Sequence, residues 1–196
     1  MWKRLLLIAL LGWGAYHGWA SRSVSYGPGA VAPQEPVQRE ASGARAFDYK
    51  GYRVTPLAQF SIEARVLSRE DYHVGRETDT SSTDLVFGWG RMSDEAVLQK
   101  INVSQSNRFY HWRTEEFPIP QREIETHSAN MHIIPADSTI ARELNNVRKG
   151  QVVRVRGYLV REDAPDGWYW VSSLSRNDTG AGACELIWAE ELTVVR

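Results

Sequence analysis

The strongest constraint in this sequence is the run from Val152 to Val160, in which Val153, Val155 and Leu159 alternate with Arg154, Arg156 and Tyr158. Successive strand residues point to opposite faces, so the aliphatics share one face and the arginines and tyrosine the other. Asp163 to Gly167, with Pro165 inside, supplies a proline-initiated turn. Gly167 to Val171, carrying Trp168, Tyr169 and Trp170, then reads as the returning arm of a hairpin, rich in the aromatics that strands favour. The chain is therefore expected to be organised round a sheet.

Other segments support that. Phe60, Ile62, Ala64 and Val66 lie on one face of Gln59 to Leu67, with Ser61, Glu63 and Arg65 opposite, the pattern of a strand wet on one side. Tyr52 to Thr55 reads as a shorter strand before it, Ser68 to Thr83 as a polar loop, and Asp84 to Gly90 as a strand ending in glycines. Ser93 is placed to cap a short helix with Val97, Leu98 and Ile101 as its apolar stripe. Arg108 to Arg113 is strand-like, Phe117 to Pro120 is extended, and Ile124 to Pro135 fits no element cleanly. Asp137 or Ser138 caps a second helix along which Ile140, Leu144 and Val147 recur, ended by Arg148, Lys149 and Gly150. Cys184, Leu186 and Trp188 alternate on a last strand. Six or seven strands with two short helices make an α+β, mainly β fold: a small curled sheet or an OB-like barrel. The OB-like reading rests on a helix feeding the strand at Val152 and on the Trp-rich hairpin after it, an analogy of fold that carries no function.

Lys3 and Arg4 followed by the apolar run Leu5 to Leu11 have the charge-then-apolar order of an export signal. Residues 1–20 are read as a hydrophobic signal-anchor helix, with Trp13, Tyr16 and Trp19 as an aromatic belt; a signal peptide cleaved after Ala20 is the alternative. Residues 21–46 contain Gly27, Gly29, Pro33 and Pro36 and almost no large apolar residue, so they are expected to be a flexible tether. Residues 47–196 then form a single globular β-rich domain. The chain is expected in the bacterial inner membrane with this domain in the periplasm, or secreted to the periplasm after cleavage. A net charge of -1 leaves no basic footprint, which makes nucleic acid an unlikely partner. With Cys184 as the one cysteine there is no internal disulfide.

Four groups of residues together resemble a family of uncharacterised bacterial proteins that are small and exported or membrane-anchored. They are Gly88 to Gly90 with Met92 to Asp94; His127 to His132 with Ile134 to Ala136; Gly157 to Val160; and Ser172 to Leu174 with Arg176, Asp178 to Gly180 and Gly182 to Glu185. The resemblance covers about Tyr49 to the carboxy terminus and implies an envelope protein. It implies no activity, cofactor or catalytic residue.

Candidate site residues fall into two groups. His127, Asn130 and His132 bring titratable and polar side chains into an apolar run, yet the five-residue gap puts the two imidazoles on opposite faces of a strand, and no ligand pair has zinc-type spacing. Trp112, Trp168, Trp170 and Tyr158, interleaved with Arg108, Arg113, Arg154 and Arg156, offer aromatic plates beside guanidinium groups, suited to a stacked ring or a partner's peptide chain. Asp178 with Thr179, Gly180 and Ala181 matches the letters of an aspartic protease turn, but it follows a polar segment and has no second copy, so a tight loop is the better reading. No serine lies in a Gly-x-Ser-x-Gly elbow and no glycine-rich phosphate cradle is present. No metal, cofactor or catalytic residue is assigned. The expectation is a non-catalytic binding or assembly module with a protein partner in the envelope; the alternative is a small hydrolase or metal-dependent enzyme using His127 to His132.

Overall fold

A computed structural model describes residues 23–178, 180 and 182–196, and its fold is α+β, mainly β, with a curled sheet and no closed barrel among the described residues. Three strands are numbered by chain order here: β1 (Val37–Glu40), β2 (Phe47–Tyr49) and β3 (Tyr52–Asp71). The last is the longest, a single 20-residue strand where a short strand, a longer one and a loop from Ser68 were expected. Pro56 does not break it, because the register slips between Pro56 and Ala58 and a bulge needs no N–H there. A second slip between Val66 and Ser68 turns the strand, and its polar end continues to Asp71.

This bent strand pairs on both sides. Arg65 to Asp71 run beside β4 (Thr83–Gly88), while Arg53 to Arg65 run beside β8 (Val152–Asp163). Beyond β4 lies β7 (Ser128–Pro135), and beyond β8 lies β10 (Glu185–Val194); β7 and β10 pair in parallel. The short β9 (Tyr169–Val171) closes the hairpin on β8, giving the path β1-β3-β4-β7-β10-β8-β9 with β2 also on β3. Phe60, Ile62, Ala64 and Val66 meet Val153, Val155 and Leu159 inside the curl, as their alternation requires, together with Met131, Ile133 and Ile187. Helix α3 (Ser138–Asn146) covers one end with Ile140 and Leu144, and the Asp137 carboxylate accepts from the N–H groups of Thr139 and Ile140 at 2.7 and 2.9 Å.

The outer face of β4 carries a second layer. Helix α1 (Glu95–Leu98), the hairpin β5 (Asn102–Ser106) and β6 (Phe109–Arg113), and helix α2 (Gln121–Thr126) pack on Leu67, Val86 and Met92. The hairpin turns on Asn107 and Arg108 with φ of 51° and 69°, the two positive angles of a type I′ turn. Its first arm is too polar to be read as a strand, and α2 was not expected. Asp94, not Ser93, caps α1, accepting from Ala96 N–H at 2.9 Å; the Ser93 hydroxyl instead takes the Ala32 N–H at 3.0 Å.

That last contact corrects the expected tether. Residues 23–46 lie on the domain: Val24 N–H bonds the Lys149 carbonyl at 2.9 Å, Gly90 N–H bonds the Ala32 carbonyl at 2.9 Å, and β1 pairs Val37 to Ser61. Ala32 is buried and Trp89 Nε1 donates to Glu35 at 2.7 Å. Backbone hydrogen bonds, which composition does not register, hold this segment. The folded unit therefore begins upstream of Phe47. The signal-anchor expectation for residues 1–20 lies outside the described residues, among which no helix is long and apolar enough to cross a membrane.

Two glycines permit close backbone crossings. At Gly150 (φ 90°) a Cβ would sit 1.9 Å from the Val24 carbonyl oxygen, and at Gly157 it would sit 1.9 Å from the Trp188 carbonyl oxygen of β10. Gly157→Ala should therefore push β8 from β10 in the middle of the core. Chemical denaturation should show a loss on the order of 3 kcal/mol or more, whereas an unchanged midpoint would mean the strands yield freely there.

Candidate functional site

The site is built on the outward face of β7, where Ser128, Asn130 and His132 alternate with the inward Ala129, Met131 and Ile133. Asp84 lies directly across from His132 on β4, with its carboxylate fully buried. Arg108, at the tip of the β5–β6 hairpin, reaches that carboxylate with Nη1 at 2.8 Å. His132 Nδ1 is 2.9 Å from the same oxygen, but the contact lacks hydrogen-bond alignment and leaves Nδ1 without a hydrogen-bond partner. Asn130 donates to the Arg108 carbonyl at 2.9 Å and accepts from Gln105 Nε2 at 2.9 Å. The Arg108 guanidinium is stacked 4.0 Å from the Tyr72 ring centre, and the Trp170 ring lies 4.6 Å from His132. This polar knot fixes the hairpin over the sheet.

Beside it runs a cleft of about 390 Å³. Four consecutive β6 residues, Phe109 to Trp112, border it, and so do Ser128 to Asn130 of β7. Side chains of consecutive strand residues point opposite ways, so both strands present their edges. Among the described residues β6 pairs only with β5, and β10 joins β7 only from Met131 onward. The far wall is made by Ser175, Arg176, Asp178, Gly180 and Ala183 to Glu185. There Glu185 is 1% exposed, with Oε1 2.6 Å from Arg176 Nε and Oε2 buried without a hydrogen-bond partner. Burial pushes its carboxyl up to about 8, with Arg176 pulling the other way. Burial also pushes the Cys184 thiol to about 12, which keeps it a neutral wall residue and not a nucleophile. Asp178 accepts from the Ser173 hydroxyl at 2.6 Å.

The expected site residues separate. Asn130, His132 and Trp170 come together in the knot, and Asp178 borders the adjoining cleft. His127 does not join them: it closes α2, with Nε2 2.9 Å from Glu35 and its ring beside Trp89. Arg154 pairs with Glu63 at 2.7 Å and Arg156 with Glu191 at 3.3 Å on the outer face of β8, where Arg156 and Tyr158 border a separate groove against β1. Trp168 packs on Tyr52 under the Arg76 guanidinium. The expected aromatic-cationic surface is thus distributed over three places. Among the described residues no group of three His, Cys, Asp or Glu side chains is placed to hold a metal. Arg108 was expected in the aromatic-cationic group, whereas Asp84, Glu185 and Arg176 were not singled out as site residues. A charged residue at the head of an apolar strand, as Asp84 and Glu185 both are, is the signal that marks them.

No family model matches the chain, and neither any curated protein nor any solved structure matches it.

A third buried carboxyl gives a test of these electrostatics. Glu162 accepts from the Thr80 hydroxyl at 2.9 Å while its Oε1 has no partner, and burial raises its pKa from 4.5 to about 7. The folded state then holds this proton more tightly than the unfolded one, so the stabilisation is complete below pH 4.5 and is lost as pH rises through about 7. Glu162→Gln should gain on the parent across that window, by at most about 1.4 kcal/mol per pH unit. Denaturation curves at stepped pH check this, and a constant offset would refute it.

Proposed function

We propose that this chain is a non-catalytic binding or assembly module of the bacterial envelope that takes a protein partner in the cleft beside β6. The observation that carries the reading is the free edge of β6 beside a formed cleft. An exposed strand edge is a template for an added strand, and the aromatic residues along it supply apolar contact. The acidic character of the cleft disfavours nucleic acid, whose phosphates need cations. The reading as a small hydrolase or metal-dependent enzyme has less support, since His127 and His132 lie in separate environments and the Cys184 thiol is held protonated.

The finer architecture proposed is OB-like. It is supported by the pairing order β3-β4-β7-β10-β8 with β8 also on β3, by the parallel β7–β10 pair and by α3 between β7 and β8. In such barrels the face of the second and third strands, with the loop before the last strand, is the usual binding face. Here those elements are β4, β7 and the connection carrying Ser175, Arg176, Asp178 and Cys184, which border the cleft and the knot.

A photo-cross-linking residue in place of Phe109, in the full chain in membranes, should give a discrete adduct with an envelope protein; the same residue in place of the exposed Val74 should not. Absence of an adduct at Phe109, with turnover of a hydrolase substrate by the purified protein, would overturn the reading. Placement is proposed as single-pass in the inner membrane, with Lys3 and Arg4 inside and the domain in the periplasm. After a carbonate wash the full-length chain should stay in the membrane pellet. A soluble form starting near Ser21 would instead make it a released periplasmic protein.

A further inference from the structure

The cleft carries a charge imbalance that its own side chains do not resolve. Glu125, Asp178 and Glu185 border it against one guanidinium, that of Arg176. Glu125 is engaged by Arg122 at 3.5 Å and Glu185 by Arg176 through Oε1, but no cation partners Asp178 among the described residues. More pointedly, Glu185 Oε2 is buried on the cleft wall with no hydrogen-bond partner. Buried carboxyl oxygens without a partner are rare, because a hydrogen bond left unmade costs the desolvation of the group; burial keeps this carboxyl protonated up to about pH 8, and a cationic donor would draw it into the ionised form. A donor arriving from outside the chain satisfies that oxygen.

The opposite wall specifies the form in which the donor arrives. In the antiparallel ladder of the β5–β6 hairpin, Ser106 and Phe109 flank the turn as its closing pair, so Phe109, His111 and Arg113 turn their backbone groups toward β5. Tyr110 and Trp112 turn theirs away, along the cleft, and neither has a backbone partner among the described residues. An extended peptide satisfies those groups and a small amine does not. The long stem of a Lys or Arg side chain lies well against the aromatics of β6 while its charged head reaches onward.

From the unpartnered Glu185 oxygen, the unpaired Asp178 and the free Tyr110–Trp112 edge together, we infer that the cleft selects an extended peptide segment bearing a basic side chain, which adds to β6 and donates to Glu185 and Asp178. This rests on the reading of the chain as a protein-binding module and names the chemistry of its partner.

The test uses the full chain in detergent and short fluorescent peptides of alternating valine and threonine whose central residue is lysine, arginine, norleucine or glutamate. Lysine and arginine peptides should bind at least about ten-fold more tightly than norleucine, and glutamate most weakly. The advantage should shrink in Glu185→Gln and in Asp178→Asn, with thermal unfolding confirming that each variant folds. The wild-type comparison stands without either variant. Backbone N-methylation of the lysine peptide should abolish binding. Equal binding of all four peptides, still lost on N-methylation, would overturn the charge selection and leave the docking reading intact. Binding of cadaverine as tightly as the lysine peptide would overturn the peptide occupant. If no peptide binds, the inference fails, and the adduct at Phe109 decides separately whether the module binds a protein at all.

Discussion

The buried carboxylate of Asp84 is the contact on which the arrangement of this protein's outer face depends. Taking such a group out of water costs several kcal/mol, so it persists only where charge and hydrogen bonds surround it. Arg108 comes from the hairpin tip and Asn130 from β7, with His132 of the same strand lying against the carboxylate. Those partners belong to different elements, and satisfying one carboxylate therefore fixes the hairpin across the sheet. The cleft inherits its geometry from that demand: β6 lies where Arg108 puts it.

The two faces of the sheet do different work. Inside the curl, aliphatic side chains from β3, β7, β8 and β10 fill a single apolar core, and position follows from hydrophobic burial. Outside, the hairpin packs Val103, Tyr110 and Trp112 on the apolar layer round Val86 and Met92, while over β7 its tip is fixed by pairwise donors and acceptors. The cleft opens where neither organising force is complete. β4 pairs with β7 from Ser128, whereas β10 joins only at Met131, so three residues of β7 have a neighbour on one side alone.

What was legible in the sequence follows from this division. The alternations Val153, Val155, Leu159 and Phe60, Ile62, Ala64, Val66 announced the inner core because period two is a local signal. The helix capped by Asp137 was legible for the same reason, its capping contacts lying within three residues. β7 was obscured by Ser128, Asn130 and His132, which interrupt the expected apolar face although Ala129, Met131 and Ile133 alternate correctly behind them. Asp84 and Arg108 are 24 residues apart, and nothing local links a strand-head carboxylate to a turn arginine. The same blindness to distant backbone contacts made residues 23–46 look like a tether.

The crossing at Gly150 has a bearing on how an anchored chain would sit. With Val24 bonded to Lys149 and its carbonyl lodged in the space that only a glycine leaves, residue 24 is a fixed point on the domain. A membrane helix ending at residue 20 would leave a leash of a few residues, spanning roughly 10–15 Å when fully extended. Anchored in that way, the domain would ride against the headgroups with the turn before β8 facing the bilayer. Its reach toward a partner is then set by orientation at the surface, with little freedom to search outward.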